Sequence, residues 1–232
     1  LEGEEACGSP PVLFGGRRGS HAIARAAFPA RTPNAPNLGS GNMHRAARPP
    51  ANPSLPAASI DAMAGGGRFI AGLGVSGPQI VEGWYGQPWG KPYYRVKDYV
   101  AIMRKIFKRE GPVTHEGREI SLPYKGEGSA GLAKPLKSIL HMNPDIPIYL
   151  ATGGEAMVKL TAEIADGWLP MGFVPGAMEE YGPWLEEGFR RAGSGKGLKD
   201  FTIQASVHVE IDNDVKGALT RLKPEAAAYV GG

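Results

Sequence analysis

The chain has 232 residues, with 26 Lys and Arg against 23 Asp and Glu, for a net charge of +3. So even a balance, without a clustered basic patch, argues against a nucleic-acid module. No run approaches the roughly 18 to 20 apolar residues of a membrane span, and a single cysteine, Cys7, excludes a disulfide scaffold or a cysteine-based metal site. The start, Leu1-Glu2-Gly3-Glu4-Glu5, has no basic stretch leading into an apolar one, so no secretory signal is expected and the cytoplasm is the default location. The lack of an initiator Met suggests that the true beginning lies upstream.

Residues 1–67 hold 14 Ala, 10 Gly, 9 Pro and 6 Arg, and no Lys, Trp, Tyr or Gln. So few large apolar residues are expected not to offset the entropy of ordering. Three readings stand: a disordered extension, a GC-rich gene read out of frame, or a basic arm, the last disfavoured because the arginines are scattered. No strand pattern is expected before residue 68.

From Arg68 the elements become regular. Arg68–Gly74 reads as a buried strand and residues 75–92 as turns. Tyr93–Arg109 is a helix, with Val96, Tyr99, Val100, Met103, Ile106 and Phe107 on one face and Gly111-Pro112 as its stop. Val113–Leu122 predicts a hairpin turning at Glu116-Gly117, and residues 123–144 are irregular. A strand at Ile146–Ala151, a helix at Glu155–Ile164, a strand at Ala165–Met171 and a helix at Gly176–Ala192 follow. Phe201–Ile211 alternates as a strand, and Asp212 or Asp214 caps a last helix reaching toward Tyr229. Alternation of strand and helix implies parallel pairing, in an open doubly wound sheet or a (β/α)8 barrel. Four such units cannot close a barrel of about 250 residues, so the expectation is a small open α/β domain or a barrel fragment.

The block Gly66–Pro78, with Gly-Gly-Arg-Phe leading to Gly-Leu-Gly-Val-Ser-Gly-Pro, resembles the luciferase-like monooxygenase superfamily. The likeness continues through Val81–Gly86, Gly131–Lys137, Ile146–Gly154, Ala162–Pro170 and Tyr229–Gly232. The Val-Ser-Gly-Pro and Ala-Asp-Gly-Trp segments are similar to its coenzyme F420-dependent oxidoreductases. The resemblance implies an α/β fold, a (β/α)8 TIM barrel of the bacterial luciferase type, with Arg68–Gly74 as fourth strand. It covers residues 61–232 as a partial barrel, strands four to seven being recognisable, and leaves residues 1–60 as the low-complexity, possibly out-of-frame segment. The implied activity is hydride transfer between reduced deazaflavin F420 and a small organic molecule, without membrane or nucleic-acid partners and with a homodimer as the expected assembly. The alternatives are an FMN-dependent monooxygenase of the same superfamily, or a barrel fragment without activity.

Barrel ligands bind where strands end, and three strand ends carry suitable residues. Ser76 and Gly77 follow the fourth strand, either as a tight turn needing a positive φ or as a close approach to the flat deazaflavin. Ala151, Thr152, Gly153 and Gly154 precede a helix, where glycine N–H groups and the helix dipole suit the phosphodiester of the cofactor tail; an ordinary βα turn is the plainer reading. Trp168 is placed beside the cofactor or in the core. Trp84, Tyr85 and Trp89 line a substrate pocket or pack as a lid. The five histidines show no metal-ligand spacing: His115 is expected solvated, His208 structural and His141 near the mouth. No residue is assigned to catalysis, and no Gly-x-Ser-x-Gly, Walker or dinucleotide fingerprint is present.

Overall fold

In the computed structural model, residues 11–14, 22–31, 37–41, 43–44, 48–206 and 211–230 are described. Strand β1 is Val12–Phe14, helix α1 Ala22–Ala30, strand β2 Leu38–Ser40, strand β3 Met43–His44 and helix α2 Ala51–Met63. Strand β4, Phe69–Gly74, is followed by the short helix α3, Pro78–Val81, and the long helix α4, Pro92–Lys108. The hairpin strands are β5, His115–Glu116, and β6, Ser121–Leu122. Then come β7, Ile148–Ala151; α5, Glu155–Ile164; β8, Gly167–Trp168; α6, Ala177–Ala192; β9, Thr202–Ile203; and α7, Val215–Val230.

The sheet runs β1-β2-β4-β7-β8-β9, every neighbour parallel, with β3 also on β4. Strands β2 and β3 lie along successive parts of β4: Leu38 and Gly39 pair with Phe69 and Ile70, Met43 and His44 with Leu73 and Gly74. At the break between them the Ser40 hydroxyl donates to the Gly72 carbonyl at 3.0 Å and accepts from the Gly72 N–H at 2.9 Å. A Cβ on Gly72 would stand 1.7 Å from the Ser40 carbonyl oxygen, so only glycine fits there.

The structure corrects the expectation that residues 1–67 hold no strand. Among the described residues, two helices and three strands lie there, and they bury alanine where larger residues were sought: Ala26 and Ala57 are fully enclosed, and Leu38 joins them. Alanine has the highest helix propensity and little side-chain entropy to lose. A stripe of Ala22, Ala26 and Ala30 at four-residue spacing therefore packs closely without bulk. Helix α2 runs across residue 60 without interruption.

The two faces of the sheet bury different layers. Phe69, Ala71, Leu73, Ile148 and Leu150 pack with α2 and α4 in the main core. On the other face, Ile70, Tyr149 and Leu169 cluster with Leu13 and Ala151. Tyr149 fills the space that Gly167 leaves, because a Cβ on Gly167 would lie 2.7 Å from its ring.

The remaining elements agree with the sequence reading in kind. Helix α4 ends one residue early, with Arg109 rather than Gly111 in the left-handed conformation at φ 52°. The Asp214 carboxylate accepts the Gly217 N–H at 3.0 Å and caps α7. Strand β9 covers only Thr202–Ile203 of the expected Phe201–Ile211, since residues 204–206 continue as irregular chain, and the expected strand residue His208 lies outside the described residues.

Candidate functional site

Because the strands are parallel, their carboxyl ends open on one side of the sheet. Gly74, the last residue of β4, pairs with Ala151, the last of β7, and Leu150 pairs with Trp168. The loops carrying Ser76-Gly77 and Thr152-Gly153-Gly154 thus leave adjacent strands at the same level. Strand ends of this kind are where barrels bind their ligands.

The turn after β7 is held by its own side chains. Thr152 is buried, and its hydroxyl lies 2.7 Å from the Thr161 hydroxyl inside α5. Gly154 sits at the N-cap of α5 with φ 74° and ψ 150°, a conformation open to glycine. Its carbonyl accepts the N–H groups of Met157 and Val158. Gly153 and Gly154 are exposed, and a Cβ on either would meet nothing within 4 Å. An open glycine pair at the start of a ten-residue helix presents N–H groups and the positive end of the dipole. The Glu155 carboxylate pairs with Lys159, which turns part of its charge along the helix.

Trp168 corrects one expectation. It is 1% exposed and packs with Val158, Ala162, Leu185 and Phe189 beneath helices α5 and α6, edge-on to Phe173 and Tyr181. Along β8 it is Gly167 that faces Tyr149 on the other side of the sheet, so the alternation of the strand turns the indole into the helix layer. The indole N–H donates to the Thr152 carbonyl at 2.9 Å. Its ring is therefore not a face for the cofactor.

Gly77 likewise is not a positive-φ turn: at φ −71° and ψ 167° it is extended and opens α3. The Gln79 side-chain oxygen lies 2.3 Å from where its Cβ would stand. Ser76 is half-buried in the same loop. Further along, Trp84 is 62% exposed, while Tyr85 and Trp89 are half-buried.

A sequence model of the family described as luciferase-like monooxygenase matches residues 23–231. The chain belongs to this family. A Mycobacterium tuberculosis protein, assigned rather than demonstrated to be a coenzyme F420-dependent oxidoreductase, is 42% identical over 229 residues, or 98% of this chain and 66% of that protein. The 5,10-methylenetetrahydromethanopterin reductase of Archaeoglobus fulgidus is 30% identical over 165 residues, or 70% of this chain and 46% of the reductase. The solved structure of the coenzyme F420-dependent tetrahydromethanopterin reductase of Methanopyrus kandleri has a TM-score of 0.76 at 23% identity, covering 95% of this chain and 64% of that one. An F420-dependent secondary alcohol dehydrogenase has a TM-score of 0.75 at 20% identity, covering 91% of this chain and 61% of that one. These structures share the fold. The chain spans about two thirds of the first relative and less than half of the second. The likeness runs through residues 23–60 as well, which the sequence reading had set apart from the domain.

The luciferase-like framework depends on carboxylates that sequence reasoning did not single out. Asp61, 2% exposed, accepts the N–H groups of Arg68 and Phe69 at 2.9 Å each, that of Gly67 at 3.0 Å, and the Asn143 amide at 3.2 Å. Asp166 accepts the Ile148 N–H at 2.7 Å and pairs with Arg104, which also reaches the Ile146 carbonyl. Asp98 accepts the Glu119 and Ile120 N–H groups and meets His115 at 3.1 Å. His115 is thus largely enclosed against α4 rather than solvated. His141 precedes β7 and is exposed at the amino end of the strands, away from the mouth. Among the described histidines, only His44 has its backbone at the mouth, paired with Gly74. Asp61 binds backbone donors six to eight positions ahead of it, past three glycines, whereas the partners of Asp98 and Asp166 lie 17 or more positions away, so the signal for those two is spatial.

Proposed function

We propose that the chain is the core of an F420-dependent oxidoreductase, moving a hydride between reduced deazaflavin and a small organic substrate. One observation carries the reading: the open Gly153-Gly154 turn at the start of α5, level with the end of β4. The naming of the M. tuberculosis relative supports it. Bound reduced deazaflavin supplies the hydride. The chain's part is to bind and orient. Ala151, Thr152, Gly153 and Gly154 receive the phosphodiester of the tail, through N–H groups at the positive end of the dipole. Ser76 and Gly77, on the neighbouring strand end, border the planar ring, and Trp84, Tyr85 and Trp89 keep water from the substrate side. The hydride chemistry belongs to the cofactor, and the proton that accompanies the hydride is assigned to no residue of this chain.

The test is a fluorescence titration of the chain with F420 and, in parallel, FMN, repeated on Gly153→Val. A Cβ at this position meets no atom within 4 Å and the φ of Gly153 is not positive, so a side chain there is expected to occupy the cradle with the fold retained. Saturable F420 binding that weakens about tenfold in the variant, with unchanged thermal unfolding, is expected from loss of the phosphate contact. Tighter binding of FMN than of F420 by the wild type moves the reading to the flavin monooxygenases of the family. F420 binding indifferent to the valine removes the phosphate from this turn.

A further inference from the structure

We propose that Trp168 and Thr161 are positioning residues that fix the direction of the Gly153 N–H, and with it the recognition of the anionic part of the cofactor tail. This rests on the site proposed above and adds the device that orients it. The argument begins at one peptide plane. The Thr152 carbonyl is the acceptor of the Trp168 indole N–H at 2.9 Å. Trp168 is buried in the layer between the sheet and helices α5 and α6, so this carbonyl points into the helix layer. In a trans peptide the following N–H is antiparallel to the carbonyl, and Leu122–Pro123 is the sole cis bond among the described residues. The Gly153 N–H is therefore directed away from the helix layer, toward the side on which Tyr149 and Leu169 pack.

A second constraint holds the same residue. The Thr161 hydroxyl gives its proton to the Met157 carbonyl at 2.8 Å, so at the 2.7 Å contact between the threonine hydroxyls it is Thr152 that donates. Both the carbonyl and the side chain of Thr152 are thus tied to buried groups. A peptide plane restrained at both points cannot rotate freely to present its carbonyl oxygen to an anion. A lone glycine turn lacks that restraint, and orientation prepared in advance lowers the cost of ordering on binding.

The experiment compares two ligands on the whole chain: F420, and the same deazaflavin ring with its ribityl chain but no phosphate. Trp168→Phe removes the indole N–H and retains an aromatic ring. Thr161→Val removes the hydroxyl partner at nearly constant volume, and it carries the test if the first variant fails to fold. F420 affinity is expected to fall about three- to tenfold in each variant, the range of one lost hydrogen bond. Affinity for the phosphate-free ligand is expected to stay at the wild-type value. A merely structural role lowers both affinities together or neither, and either result overturns the proposal. A wild type that binds the two ligands equally overturns the site itself and this role with it. Loss of tail preference in the variants alone leaves the site standing and supports the role.

Discussion

The Gln204 amide reaches the Pro11 carbonyl at 2.9 Å, joining residues 193 positions apart at the two ends of the sheet. Pro11 precedes β1 and Gln204 follows β9, the outermost strands of the path. Six strands laid flat at about 4.8 Å spacing would separate those ends by roughly 24 Å. An amide side chain spans far less, so the sheet is curled back toward itself as in a barrel wall. The same side chain keeps an enclosed Oε1 without a hydrogen-bond partner among the described residues.

This pairing makes Gln204 a place where two substitutions of similar size diverge. Leucine removes one hydrogen bond but also an unsatisfied acceptor, so Gln204→Leu is expected within about 1 kcal/mol of the wild type. Gln204→Glu places a carboxylate opposite a carbonyl and is expected to cost about 2 kcal/mol at neutral pH. Urea unfolding of the two variants checks the ordering. Equal stabilities would mean that the contact does not persist in solution.

Asp61 ties the end of α2 to the start of β4 by accepting the backbone N–H groups of Gly67, Arg68 and Phe69. Gly65, Gly66 and Gly67, with φ of 92°, 85° and 75°, let the chain fold around its carboxylate. In Asp61→Asn one oxygen becomes an amino group facing donors, and a loss of about 2–4 kcal/mol is expected. Asn143→Ala removes only the longest contact and is expected to cost less than about 1 kcal/mol. Thermal unfolding of both variants checks the ordering, and an Asp61→Asn variant no less stable than Asn143→Ala would show that the backbone contacts of the carboxylate do not hold this corner.

How much was legible follows from the kind of burial each segment uses. Strand β4, helix α4, strand β7 and helix α5 bury Phe69, Ile102, Ile148 and Leu160, and their periodicity was readable. Strands β1 to β3 have three, three and two residues, too short for a period to show, and the helices between them bury alanine. The turn Ala151–Gly154 was legible because glycines between a strand and an amphipathic helix have few other readings. The direction of Trp168 was not, since a strand covered on both faces is apolar throughout and its sequence does not mark the outward side. Asp61 and Asn143 meet across 82 positions, a relation only the folded chain displays.

Lys196 gives the chain a pH dependence of definite sign. Its ammonium group donates to the Ala165 carbonyl at 2.8 Å and lies over the rings of Phe189 and Phe201. Burial holds its pKa below the ordinary 10.5; the Asp166 carboxylate opposes that shift and Arg104 reinforces it. Between the lowered value and 10.5 the unfolded chain keeps a proton that the folded chain has released. The unfolded state then binds more protons, so stability rises with pH through this window. Lys97 behaves oppositely: its hydrogen bond to Glu163 raises its pKa, so its contribution is complete below 10.5 and is lost above. The two effects therefore occupy separate ranges. In Lys196→Met the rise below 10.5 is expected to disappear while the loss above it remains. Chemical unfolding of wild type and variant from about pH 7 upward measures the difference directly. A difference that does not change with pH would show that Lys196 titrates alike in the folded and unfolded chains, and that its place over two phenylalanine rings compensates fully for the water it has lost.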